Sequence, residues 1–223
     1  MVSRTALANV LHQVGHLANT KAVFREVEEM QKKHQPEFPL LYSQRGFQYC
    51  DLLLSQGQVQ EVQHRASQTL ELAKQYLGQG LGLYDIGNDY LSLGRAHLLQ
   101  SQRDSNYPVT HSLNFLNRAV DGLRQAGTQH HIPRALLARA EFYRVTGVLE
   151  KAQNDLDEAF TIATRGGMGL FEADCHLEYA RLYLAKGDKA KAREHWETAK
   201  KMIEEMGYHR RDKEVEELEE QLK

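Results

Sequence analysis

Apolar and small residues recur along this chain at one helical spacing, copy after copy. In "KGDKAKAREHWETA", Gly187 is followed five residues on by Ala192, then by Trp196 and Ala199. Steps of four and three put those side chains on one face of a helix that starts just after a turn. The order small, bulky, small predicts a second helix crossing close at both alanines. The spacing returns at Gly147, Ala152, Leu156 and Ala159, at Gly57, Val62, Ala66 and Thr69, and at Gly15, Thr20, Phe24 and Val27. Another copy keeps Ser112, Leu116 and Ala119 without the turn glycine. Each copy follows a helix with a large, small, large pattern: Leu7-Ala8-Leu11, Tyr49-Cys50-Leu53, Leu93-Gly94-His97, Arg139-Ala140-Tyr143 and Tyr179-Ala180-Tyr183. The small residue marks where the two helices of a hairpin approach most closely, and its large neighbours fill the space between hairpins. No stretch alternates as a strand does, and few prolines stand among many Ala, Leu, Glu, Gln, Lys and Arg. The predicted fold class is all-α.

The pattern resembles the tetratricopeptide repeat (TPR). The resemblance is strongest in the fourth copy (Ala140, Tyr143, Gly147, Ala152, Ala159) and the fifth (Ala180, Tyr183, Gly187, Ala192, Trp196, Ala199). It implies a right-handed superhelical array of about five TPR-like helical hairpins with a C-terminal capping helix. The whole chain, 1–223, then forms one solenoid, with repeats at about 1–38, 39–78, 83–127, 132–166 and 170–206. The capping helix falls at about 211–223, with Asp212 as its N-cap and Val215, Leu218 and Leu222 as its apolar stripe. "SQRDSNYPV" predicts an inserted loop in the third copy, its Pro108 suited to the first turn of the next helix.

The first helix has no such cap. Leu7, Val10, Leu11 and Val14 begin almost at once, with nothing before them to cover their outer side. We therefore expect either that the chain is the C-terminal piece of a longer protein or that a partner covers the first repeat. Self-association through that repeat is a further expectation.

Charge narrows the function. With 28 Lys and Arg against 30 Asp and Glu, the chain lacks the footprint of a nucleic-acid or anionic-membrane binder. Cys50 and Cys175 both fall in apolar helical patterns, so two reduced core residues and a cytoplasmic setting are expected. No apolar run reaches the roughly 20 residues of a membrane span.

Chemistry finds no foothold in the motifs. "LGQGLGLYDIG" places Asp85 where a dinucleotide fingerprint needs its third glycine, and no strand precedes it. The pairs His12/His16 and His130/His131 lack convergent carboxylate or Cys partners and predict solvated or capping side chains. No HExxH or GxSxG sequence occurs. Catalytic residues, metal ligands and cofactors are accordingly not expected. "EVEEMQKKH" and "EELEEQLK" have the look of solvated helix faces with Glu and Lys set for pairing.

What remains is a binding surface. In stacked hairpins the first helix of each pair lines the concave face. One residue past each small packing residue stand Asn9, Asp51, Arg95, Glu141 and Arg181, a row of alternating sign. His12, Asn88, Arg134, Arg144 and Asp174 lie nearby. Such a row predicts a protein or peptide partner with a charge pattern of its own, and no nucleic acid or membrane. One turn earlier stand Phe47, Leu91, Leu137 and Leu177, which could be core or ligand contacts. Long repeats closed by "MIEEMGYHRRDKEVEEL" are similar to the C-terminal sensor arrays of bacterial STAND-class regulatory ATPases. That resemblance implies a signalling role, with upstream domains of the same chain among the partners. A free-standing adaptor or a small-molecule or peptide receptor is the alternative.

Overall fold

The computed structural model describes residues 2–223, with side chains from Arg4 onward. Its helices are α1 (Val2–Gln13), α2 (Leu17–His34), α3 (Ser43–Ser55), α4 (Val59–Gln75), α5 (Leu83–Arg103), α6 (Thr110–Gln125), α7 (Ile132–Val145), α8 (Leu149–Arg165), α9 (Gly169–Ala185), α10 (Lys189–Met206) and α11 (Asp212–Leu222). Single 3-10 turns at Gln129–His131 and His209–Arg211 precede α7 and α11. Among the described residues there is no strand, only an isolated bridge between Leu77 and Leu81. The chain forms two compact units. The first carries α1 to α6 and ends at Thr128; the second comprises Gln129–Lys223 and the short turn Gln13–Gly15.

The repeated spacing is a burial code. All fifteen second-helix positions, from Thr20, Phe24 and Val27 to Ala192, Trp196 and Ala199, are buried. So are the five small residues of the first helices, Ala8, Cys50, Gly94, Ala140 and Ala180. Gly94 shows why the slot must be small: a Cβ there would lie 2.7 Å from Leu116 Cδ2 of α6. Ser112 of α6 reaches the same spot and donates to the Gly94 carbonyl at 2.8 Å. The large flanking residues vary more. Tyr49, Leu53, Leu93 and Tyr179 are buried, whereas Leu7 is 52% exposed. Arg139 is half-buried and makes a bidentate contact to Asp155 of α8, at 2.7 and 2.8 Å.

Between α9 and α10 the turn "KGD" serves both helices. Gly187 has φ +78°, a conformation that costs a residue with a Cβ. This lets the Asp188 N–H reach the Tyr183 carbonyl at 2.9 Å, closing the end of α9. The Asp188 carboxylate then accepts from the Lys191 N–H at 3.1 Å, capping the start of α10.

Several local expectations need correction. Asp212 is the first residue of α11, and Arg211 holds the cap position. Pro108 precedes α6 by two residues, and the loop is shorter than expected because α5 runs on to Arg103. His131 holds the cap position of α7 without a side-chain cap bond, and it is half-buried instead of solvated, packed on His130 and bonded to Arg134. In "EVEEMQKKH", Glu29 pairs with Lys32 at 2.9 Å as a surface face should, but Glu28 is buried at 7% exposure. The cysteines are free and buried, and desolvation pushes the Cys50 thiol up to about 12.

Candidate functional site

The first helix of each hairpin carries the charged row, and in both units the row is tied up in ion pairs. In the first unit Arg95 of α5 donates through Nη1 to Asp51 Oδ1 of α3 at 2.7 Å. Asp51 also faces His12 of α1, with Nδ1 3.8 Å from its second oxygen. The far ring nitrogen of His12 lies 3.4 Å from Ser55 Oγ. Asp51 keeps 13% of its side chain exposed and Arg95 26%. Asn9 is half-buried one residue past Ala8. Two predicted groove residues are not surface groups at all: His12 and Asn88 are each 1% exposed. Both sit on the inward side of their helices, where a 3.6-residue period places a residue four before Ser92 and four past Ala8.

The second unit links more charges. Glu178 of α9 accepts from Arg144 of α7 at 2.6 and 3.4 Å, and from Arg181 at 3.3 Å. Arg181 also donates to Glu214 of α11, which Arg211 shares. Arg211 Nε donates to Asp174 of α9 at 2.8 Å, and the same carboxylate accepts from the Tyr208 hydroxyl at 3.2 Å. Glu141 of α7 is half-buried and acts on the charge of Arg181. Arg134 sits at the start of α7 against His131. Burial alone would raise the Glu214 carboxyl, but Arg211 and Arg181 overcome it and hold the group at about 2.

Charge-assisted pairs of this kind orient guanidinium edges and carboxylates before anything binds. The network draws in Glu178, Arg211, Glu214 and Tyr208, which the sequence pattern did not mark. Two spacings carried a signal, since Glu178 stands three residues before Arg181 and Glu214 three after Arg211. The apolar row divides: Leu91 and Leu177 are core residues at 0% and 1% exposure, while Phe47 and Leu137 are half-buried. Among the described residues no group of three or more His, Cys, Asp or Glu is arranged to hold a metal ion. No helix among them is long and apolar enough to cross a membrane.

No protein-family model matches the chain, and no curated protein matches it. Among solved structures it is similar to the crystal structure of a thermophilic TPR protein of Thermus thermophilus. The TM-score is 0.61 at 17% identity, over 96% of this chain and 97% of that one. The fold is therefore that of a TPR-type array of helical hairpins. At this identity the likeness speaks for the fold alone.

Proposed function

We propose that the chain is a non-catalytic interaction module, which holds a protein or peptide partner on the first-helix faces of its hairpins. The carrying observation is the partial exposure of the charged row. Asp51, Arg95 and Arg181 keep 13%, 26% and 25% of their side chains accessible, although the small residue before each is buried. In the first unit the face is built on Asn9, Asp51 and Arg95, and in the second on Glu141, Arg144, Asp174 and Arg181. Paired charges at a rim give a partner orientation and association rate more than affinity.

Leu7 and Val10 favour a second contact, since they are 52% and 57% exposed on α1. In this proposal that face is covered by another protein surface, supplied by upstream domains, a partner or a second copy. The resemblance of the long repeats to STAND-class sensor arrays supports a regulatory setting, bacterial and cytoplasmic, over a free-standing adaptor.

A test must respect the ion pairs. Reversing Arg95 alone would set two carboxylates side by side and unsettle the fold along with any binding. The double swap Asp51→Arg/Arg95→Asp keeps the pair and inverts its direction. We expect a cooperative melt, lowered by loss of the contact between Asp51 and buried His12, with capture of the partner from an extract of the source organism lost. Equal capture of the same partner by swap and parent would remove this face from the binding site.

A further inference from the structure

Two histidines on the fifth hairpin face each other across the α9–α10 contact. His176 Nδ1 and His195 Nδ1 are 2.9 Å apart, so in the free protein one ring donates its proton to the lone pair of the other. Aromatic rings fix both. His195 stacks on Tyr179 at 4.7 Å and on Tyr183 at 5.4 Å, while Phe160 of α8 meets His176 edge-on at 5.3 Å. Tyr179 is itself anchored by its hydroxyl, which donates to Asp157 of α8 at 2.6 Å. Desolvation pushes His176 down to about 4 and lowers His195 as well. The neutral imidazole, with a free lone pair, is the form that binds metal ions.

We infer that His176 and His195 form a two-imidazole binding site for a late first-row divalent cation, Cu²⁺ above all, which clips α9 to α10. The separation carries the preference. Two nitrogens in adjacent corners of a square-planar ion, with bonds of about 2.0–2.1 Å, lie about 2.9 Å apart. A tetrahedral ion with the same bonds needs about 3.3 Å, so Zn²⁺ would have to spread the rings. Cu²⁺ also stands highest in the general order of affinity for nitrogen ligands. Binding requires each ring to carry its proton on Nε2, a tautomeric shift that one of the two must make, and each ring to turn so that its Nδ1 lone pair leaves the N···N line and points at the ion. No third His, Cys, Asp or Glu among the described residues completes the site, and water or a donor from another molecule fills the remaining corners. The two ligands are 19 residues apart and fall in no metal motif, which is why the spacing of histidines along the chain did not reveal them.

The test is a Cu²⁺ titration of the whole chain, followed by electron paramagnetic resonance and by thermal melts. Since eleven histidines offer other weak sites, three proteins are compared: the parent, His176→Gln/His195→Gln, and His130→Gln/His131→Gln. The parent should bind one equivalent with a two-nitrogen hyperfine pattern and melt at a higher temperature with Cu²⁺ than without. Removing the pair should weaken that binding at least ~10-fold, the lower end of what disturbing even an outer-shell partner of a metal ligand does. The His130/His131 variant should behave as the parent. An unchanged hyperfine pattern and affinity in the His176/His195 variant would overturn the assignment, as would a parent that takes up no Cu²⁺ at micromolar concentration.

Discussion

Trp196→Ala is expected to lower stability by about 3–5 kcal/mol, the range for truncating a large buried aromatic residue. The indole is 7% exposed and lies between Ala192 and Ala199, both fully buried. It belongs to a core shared by α9, α10 and α11, with Ala180, Ile203, Tyr208, Val215 and Leu218 as neighbours. Its Nε1 donates to the Val215 carbonyl at 3.0 Å, so one side chain both fills the hairpin and ties down the final helix. Truncation leaves a cavity that Ala192 and Ala199 are too small to refill. Because hairpins contact mainly their neighbours, the loss should concentrate at that end of the chain. Urea melts give the magnitude and native-state hydrogen exchange gives the location. An α10–α11 segment as protected in the variant as in the parent would mean that the packing register of the fifth hairpin is wrong.

Glu28→Ala should cost a comparable amount, about 3–5 kcal/mol, for an electrostatic reason. Glu28 of α2 and Arg65 of α4 form an ion pair with side chains only 9% and 6% exposed. The same carboxylate accepts from the Leu41 N–H at 2.9 Å and so pins the linker between the first two hairpins. Arg65 lies over the ring of Tyr49, 4.4 Å from its centroid, and Tyr49 stacks on Phe24 at 5.0 Å. Removing Glu28 strands a guanidinium in the core, left with the Tyr49 ring and with Glu61, 3.4 Å away and half exposed. The Leu41 amide loses its acceptor too. The double replacement Glu28→Met/Arg65→Leu should recover much of the loss, because a buried pair is often no better than an apolar one of similar volume. If Glu28→Ala and the double variant are equally unstable in denaturant melts, the buried charge is not the cause.

These two positions mark where the sequence was legible and where it was not. Trp196 was readable because its neighbours at Ala192 and Ala199 sit at helical intervals on one element, and the same spacing recurs in every hairpin. Burial at such positions follows from local spacing. Glu28 was not readable, because its partner stands 37 residues away and "EVEEMQKKH" looks solvated when taken alone. His12 and Asn88 failed for the same reason: a polar residue on an inward face is indistinguishable, in one dimension, from one on a groove. Gly87 and Gly122 make a further close crossing of α5 and α6, where a Cβ on Gly122 would lie 3.3 Å from Gly87 Cα. No repeat of the pattern announced it. The charged row was legible as positions but not as pairs, since the links from Asp51 to Arg95 and from Arg144 to Glu178 join separate hairpins.

The central claim is that a partner is held on the first-helix faces, and site-specific photocross-linking tests it most directly. A benzophenone amino acid is placed at Asn9 and at Glu141 on those faces, and at Gln68 of α4 and Lys201 of α10 as exposed controls. The account predicts one protein adduct from Asn9, Glu141 or both on irradiation in an extract of the source organism, and none from Gln68 or Lys201. The same adduct from Gln68 or Lys201, with none from Asn9 or Glu141, would contradict it.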